Sequence, residues 1–144
     1  NHESHLRDPS FFSAKIIQGA IQVHRGLISK ILVGDLEARA DWGYARDFVE
    51  AFQVLARRDV PNDYVIATGE THTVKEFLSA VFGVFDLDWE DHVQPDPSWT
   101  AKTQNIEMAD PSKIFAETSW RPTLGFEDFV RLLVSDHLSQ GKNA

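Results

Sequence analysis

Apolar residues recur at helical spacing in several stretches of this chain, and these stretches define its predicted helices. The first pattern predicts a helix over about 11–25, with Ser10 as its N-cap and Gly26 as its end. Apolar residues also predict helices at about 45–58, 73–85 and 126–138, and Asp110 followed by Pro111 marks the start of a short helix over about 110–118. Thr73 and Glu76 form a capping-box sequence, which marks the start of the third helix.

Two short apolar runs, 31–34 and 64–67, have the composition of strands, and the second has the pattern of a buried strand. The polar stretches 35–44 and 86–105 are predicted to be loops. Two strands cannot form a self-sufficient sheet, so they must be covered by helices or pair with strands outside this chain. The order of elements predicts an α/β fold that is rich in helix and has a few short strands.

Composition narrows the function without identifying it. The 144 residues correspond to one domain, 1–144, and the net charge of -8 argues against nucleic acid or an anionic membrane as a partner. The chain has no cysteine, so it has no disulfide and no thiolate nucleophile, which fits the cytoplasm. It has no apolar run long enough to cross a membrane. His2, Glu3 and His5 lack the spacing of a zinc motif, and we expect no metal site.

The most distinctive stretches are 41–51, which reads DWGYARDFVEA, and 63–74, which reads DYVIATGETHTV. The first joins a polar loop to the start of an amphipathic helix. Direct contact of Asp41, Trp42 and Gly43 with a ligand is one interpretation. The favoured interpretation is structural, with Trp42 in the core and Gly43 in a tight turn.

Together with the opening Asn1-His2-Glu3-Ser4, these stretches resemble the carboxy-terminal part of GDP-mannose 4,6-dehydratases, and the resemblance runs along essentially the whole chain. It implies the sugar-nucleotide-binding portion of an extended short-chain dehydrogenase/reductase, similar to the substrate domain of those enzymes and without a complete Rossmann domain. In the whole enzyme, NADP oxidises C4 of GDP-mannose, water leaves across C5 and C6, and the hydride returns to C6.

The resemblance also implies roles for individual residues. Cofactor contacts are expected at His2 and Arg7. Contacts to the GDP-sugar are expected at or beside the family's positions, at Asn1, Lys15, Leu36, Arg39 and Lys102. No catalytic residue is assigned, because neither a glycine-rich dinucleotide loop nor a Tyr-x-x-x-Lys pair occurs in this sequence. We therefore expect no dehydratase activity from this chain alone.

Three of the family's substrate-contacting positions, those of Ala40, Ala101 and Gln104, have a different residue here. An arginine that the family places before Asp-Trp-Gly is Ala40 here, and a later Arg-Pro-Thr-Glu motif reads Ala101-Lys102-Thr103-Gln104. Losing a charge-assisted contact typically costs about 1.5–3 kcal/mol. Arg39 and Lys102 are the neighbouring cations that would compensate in part.

Three hypotheses about function stay open from the sequence. The leading one is GDP-sugar binding within an NADP-dependent enzyme. The second is an interaction or oligomerisation module that pairs with a copy of itself or with a nucleotide-binding domain. The third is a degenerate relative that no longer binds a ligand.

Overall fold

A computed structural model describes residues 1–98 and 108–140. The helices in these ranges are α1 (Phe12–His24), α2 (Ala45–Ala56), α3 (Val74–Gly83), α4 (Ser112–Glu117) and α5 (Phe126–Gln140). The strands are β1 (His2–Glu3), β2 (Ile31–Val33), β3 (Arg39–Ala40), β4 (Gly43–Tyr44), β5 (His72–Thr73) and β6 (Val93–Pro95). The chain is therefore rich in helix with a few short strands, as predicted. No helix in these two ranges is long and apolar enough to span a membrane.

The strands form three separate two-stranded ladders. β1 pairs with β4 and β2 pairs with β6, both in parallel, whereas β3 and β5 are antiparallel. Ladders this short need covering helices, and α1, α3 and α5 pack against one another to supply them. The largest fully buried side chains of this core include Ile16, Phe77, Phe82, Phe129 and Leu133. A smaller apolar cluster joins Ala51 of α2 to Ile114 and Trp120.

The ends of α1 confirm one prediction and correct another. Gly26 ends the helix with a left-handed backbone, φ 69°, and its N–H donates to the carbonyl of Val23. Ser10 is not the N-cap, because the helix begins after Phe11, which makes no side-chain cap. The Asp8 carboxylate instead accepts the N–H and the hydroxyl of Ser10, at 2.9 and 2.6 Å. The serine is thus committed to a local turn.

The capping box predicted for α3 is present. The Thr73 hydroxyl accepts the N–H of Glu76, and the Glu76 carboxylate accepts the N–H of Thr73. These hydrogen bonds lower the pKa of Glu76 below its ordinary value of 4.5, with the backbone N–H of Thr73 as the largest cause. The helix ends at Gly83, two residues before the predicted end.

Three loop and strand predictions need correction. The stretch 35–44 contains β3 and β4, and the described part of 86–105 contains β6 and a 3-10 turn, Trp89–Asp91; residues 99–105 lie outside the described ranges. The predicted strand 64–67 is not a strand, because its backbone finds no hydrogen-bond partner in the described chain. An apolar pattern reports burial and cannot reveal whether a partner strand is present.

Asp41, Trp42 and Gly43 of the 41–51 motif all have structural contacts, and Trp42 is in the core as favoured above. The Asp41 carboxylate accepts the N–H groups of Thr68 and Gly69, at 3.1 and 2.9 Å, and so fastens the loop to the second distinctive stretch. Trp42 is buried and its ring stacks on Phe12. The expected tight turn is not the reason for a glycine at position 43. The Phe48 ring approaches the backbone closely, and a Cβ on residue 43 would lie 2.5 Å from that ring.

Asp47, in the first turn of α2, forms hydrogen bonds to the segment that precedes α5. Its side chain is only 3% exposed. The carboxylate accepts the N–H and the hydroxyl of Thr123, at 2.9 and 2.7 Å. The carbonyl of Asp47 accepts the indole N–H of Trp120 at 2.7 Å. The segment before α5 is therefore held to α2 by hydrogen bonds as well as by packing.

Candidate functional site

A pocket of about 360 Å³ opens between β1, β3 and the start of α1. Its walls include the aromatic rings of Phe11, Phe12 and Trp42. Its polar lining comes from Asn1, Glu3, Arg7, Asp35 and Arg39. Thus three of the predicted site residues, Asn1, Arg7 and Arg39, come together around one cavity.

The β1–β4 ladder places the amino-terminal residues at this pocket. The carbonyl of Asn1 accepts the N–H of Gly43, and His2 and Glu3 pair with Gly43 and Tyr44. Successive side chains of a strand point to opposite faces. Glu3 accordingly lines the pocket, whereas His2 lies outside its lining and stacks on Phe48 of α2 with ring centroids 5.2 Å apart.

Glu3 is the buried acid of the pocket, with 4% of the residue exposed. Its Oε2 accepts the hydroxyl of Ser13 at 2.6 Å and lies 3.3 Å from the Nε of Arg7. A buried carboxylate is costly without partners, and these two groups supply a hydrogen bond and a compensating charge.

Arg7 is held in place but has unused hydrogen-bonding capacity. Its guanidinium carbon lies 3.8 Å above the centre of the Phe11 ring, a cation–π contact, and its side chain is 28% exposed. The Nε–H is buried and is not aimed at Glu3, so that contact is an ion pair without a hydrogen bond. None of the guanidinium N–H groups donates to residues 1–98 or 108–140. Because the side chain is partly exposed, its terminal nitrogens are available to water or to a ligand.

Arg39 is also at the pocket, but part of its guanidinium is engaged. It donates to the carbonyl of Thr71 at 2.8 Å and to the Thr71 hydroxyl at 3.3 Å. Its neighbour Ala40 is on the other face of β3, where it packs against the core and also contributes to the pocket lining. Arg39 therefore supplies positive charge near the pocket and does not occupy the place that an arginine at position 40 would have.

Lys15 and Leu36 lie beside the pocket and not in its lining. Lys15 is exposed on α1. Hydrogen bonds from Ser98 lower the pKa of Asp96, and the charge of Lys15 adds a smaller effect in the same direction. Asp96 follows β6 and donates its N–H to the carbonyl of Val33, a pocket residue. Leu36 packs on the core, and its carbonyl accepts the N–H of Lys75.

Several sequence predictions fall on residues outside the described ranges. Lys102 is one of them, and so are Ala101 and Gln104.

Two other cavities suit an anionic ligand less well. A larger one, of about 700 Å³, is lined by Glu76, Glu127 and Asp128, and Arg131 is the only Lys or Arg among the described residues that line it. Arg131 already pairs with two of these carboxylates. In the other, of about 310 Å³, Arg121 donates to backbone carbonyls of its own segment. The pocket at Arg7 is better suited to an anion because its guanidinium donors are available, although it is not the largest cavity.

The chosen pocket can bind an anion together with a flat or apolar group. Free guanidinium donors suit phosphate oxygens, and aromatic walls suit a ring. Sequence reasoning missed Glu3 and Ser13 as members of the site. The available signals were a glutamate four residues before Arg7 and a serine on the buried face of α1. Within residues 1–98 and 108–140, no group of three or more His, Asp or Glu side chains is arranged to hold a metal ion.

Comparison with known proteins places these features in context. The family model described as GDP-mannose 4,6 dehydratase matches residues 1–133. GDP-mannose 4,6 dehydratase 1 from Arabidopsis thaliana is 40% identical over 143 residues, which are 99% of this chain and 40% of that protein. The human GDP-mannose 4,6 dehydratase is 32% identical and is covered over 41% of its length. The chain thus spans about two fifths of these relatives.

Solved structures show the same fold. RMD from Pseudomonas aeruginosa complexed with NADPH matches with a TM-score of 0.86 at 18% identity, over 97% of this chain and 46% of that one. UDP-glucose 4-epimerase from Thermus thermophilus, in complex with NAD, matches with a TM-score of 0.70 at 27% identity, over 94% of this chain and 43% of the other.

Proposed function

The chain belongs to the GDP-mannose 4,6-dehydratase family, and on that premise we propose that it is the carboxy-terminal, sugar-nucleotide-binding portion of such an enzyme. The ligand is a GDP-mannose-type sugar nucleotide, and its place is the pocket between β1, β3 and α1. The single observation that supports this assignment best is the Arg7 guanidinium, whose donors have no acceptor in the described chain.

Different residues of the pocket would contact different parts of the ligand. Arg39 supplies positive charge for the diphosphate, and so does Arg7, for which the resemblance implied a cofactor contact and which we propose here as a contact to the sugar nucleotide. Lys15, on α1 beside the pocket, is a third cation. The rings of Phe11 and Trp42 offer flat apolar surface to the base or the sugar. Asn1 is an uncharged donor and acceptor at the rim, suited to a sugar hydroxyl.

NADP is the cofactor that we propose for the whole enzyme, and it supplies the hydride chemistry when bound. The described residues could contact only part of an NADP molecule. Arg7, for which the resemblance implied a cofactor contact, is assigned here to the sugar nucleotide, and His2 is turned toward Phe48 on α2. The chain alone is therefore proposed to bind NADP weakly and to have no dehydratase activity.

Calorimetric titration of the 144-residue chain with GDP and GDP-mannose tests the binding proposal. We expect saturable heat for both ligands and roughly tenfold weaker binding in Arg7→Ala, the loss of one charge-assisted contact. Arg46→Ala is the matched control, because Arg46 makes the same kind of ion pair, Nε to Glu50 Oε1 at 3.3 Å, on an exposed face of α2. No heat at millimolar ligand, or equal weakening by both variants, would remove the proposal.

A second candidate function is docking, and the surface of α2 favours it. Val49 and Phe52 are one helical turn apart and are 49% and 52% exposed. Val65, in the extended 64–67 segment, is exposed as well, and the backbone of that segment has no hydrogen-bond partner in the described chain. Open strand edges and apolar faces pair readily with another chain. The occupant proposed is the nucleotide-binding domain of the same enzyme.

Size-exclusion chromatography with light scattering tests this second candidate on the 144-residue chain. Without its covering domain, the chain is expected to self-associate as its concentration rises, and Phe52→Glu is expected to reduce the association. Leu27→Glu is the control, since Leu27 is also exposed but lies outside α2 and the 64–67 segment. A wild-type chain that stays monomeric at high concentration would argue against docking.

A further inference from the structure

We infer that Glu3 is a positioning residue of the pocket, which together with Ser13 holds the guanidinium of Arg7 in the orientation that meets a phosphate group. The inference rests on the proposed function, because it assigns a task to the ligand-binding arginine. It adds two residues that were not among the site residues expected from the sequence.

The first step is the burial of Glu3. Its carboxylate is almost fully withdrawn from water but has one hydrogen bond, from Ser13, and one opposite charge, from Arg7. Removing its cationic partner would leave an uncompensated buried charge. Its position is therefore tied to that of the arginine.

The second step is the geometry around Ser13. The hydroxyl donates at 2.6 Å to the same carboxylate oxygen, Oε2, that lies beside the Nε of Arg7. Ser13 is itself buried in the first turns of α1 and moves with that helix. Because β1 carries Glu3, the hydrogen bond ties the strand to the helix and fixes the oxygen that faces Arg7.

The third step is the difference between the Nε side of the Arg7 guanidinium and its two terminal nitrogens. The Nε side lies next to Glu3, and the ring of Phe11 supports one flat face. The two terminal nitrogens donate to no residue in 1–98 or 108–140, although the group lines the pocket. This arrangement restricts the rotamers of a long side chain while leaving its fork of donors for a phosphate.

A purely electrostatic role of Glu3 and a positioning role predict opposite changes in the affinity for an anion when Glu3 is replaced by glutamine, so the two can be distinguished. Glu3→Gln removes a negative charge next to the anion site, so a purely Coulombic role would tighten the binding of an anion. If Glu3 positions Arg7, the same variant weakens binding. Ser13→Ala keeps the charge but releases the carboxylate, and positioning predicts a weakening here also, by a smaller factor.

The experiment is calorimetric titration with GDP, combined with NMR of the Arg7 Nε–H signal. We expect Glu3→Gln to weaken GDP binding roughly tenfold, and to have little further effect when Arg7 is already alanine. Glu50→Gln is the control, since Glu50 pairs with Arg46 at the same 3.3 Å outside the pocket. Thermal melts establish that each variant is folded.

The outcomes separate the two proposals. Wild-type protein that binds no GDP overturns the proposed function, and the NMR signal then still decides the positioning role. That signal is expected to broaden or shift in Glu3→Gln and not in Glu50→Gln. Unchanged or tighter GDP binding by folded Glu3→Gln, or an Arg7 signal indifferent to the substitution, overturns the inference.

Discussion

Replacing Asp47 with alanine should destabilise the fold without touching the proposed ligand pocket. The carboxylate accepts two hydrogen bonds from Thr123, at 2.9 and 2.7 Å, and the residue is 3% exposed. A donor left without its acceptor costs about 1–3 kcal/mol. Thr123 is itself exposed, so water can reach its donors, and the lower part of that range applies. With two donors affected, at about 1–1.5 kcal/mol each, the free energy of unfolding should fall by about 2–3 kcal/mol.

Asp47→Asn separates the contributions of the two hydrogen bonds to the free energy of unfolding. The amide oxygen replaces one carboxylate oxygen, but its NH₂ group cannot accept the second hydrogen bond, so a loss of about 1 kcal/mol is expected. The favourable charge of Asp47 in the first turn of α2 is lost in both variants. The two substitutions should thus be ordered, with alanine the more damaging.

Urea denaturation, followed by circular dichroism and tryptophan fluorescence, measures these differences. Asp59→Ala is the control, because Asp59 is exposed and just beyond the end of α2. A folded Asp47→Ala protein within about 0.5 kcal/mol of wild type would refute the reasoning, since that is the scatter expected of neutral surface substitutions.

Other substitutions test separate parts of the fold. Gly43→Ala should destabilise by about 1–3 kcal/mol because its Cβ would overlap the Phe48 ring, whereas Gly83→Ala, with open space around it, should not; equal melting temperatures would contradict this. Phe77→Ala should cost about 3–5 kcal/mol in urea denaturation, as expected for a fully buried ring, and a loss below about 1 kcal/mol would contradict its place in the core. Glu76→Gln should be less stable than wild type at neutral pH. Because the folded pKa of Glu76 is depressed, that difference should be full above pH 4.5 and disappear as the pH falls through the folded value; a difference independent of pH in urea midpoints would contradict it.

The helices were predictable from the sequence because their signals are local. The spacing of apolar residues in α1 and the capping box at Thr73 each involve residues within a turn or two. The positive backbone angle at Gly26 follows from the same neighbourhood. The failed N-cap at Ser10 also has a local cause, since Asp8 competes for the same serine.

The pairing of strands and the make-up of the pocket were not predictable in this way. β3 pairs with β5 across more than thirty residues, and Glu3 reaches Ser13 only because β1 lies against α1. The pattern at 64–67 has the composition of a strand, yet no partner strand is present in the described chain. The face of β1 on which His2 lies depends on the pairing of His2 with Gly43, which no spacing in the sequence reveals.

The place of the ligand is tested most directly by mapping backbone amide shifts in NMR spectra as GDP-mannose is added to the 144-residue chain. The shifts should concentrate on residues of the pocket between β1, β3 and α1, notably Glu3, Arg7, Gly34 and Arg39. They should be small in Arg7→Ala at the same ligand concentration. Shifts centred instead on Glu76 and Glu127 in the larger cavity, or no shifts at millimolar GDP-mannose, would contradict the assignment.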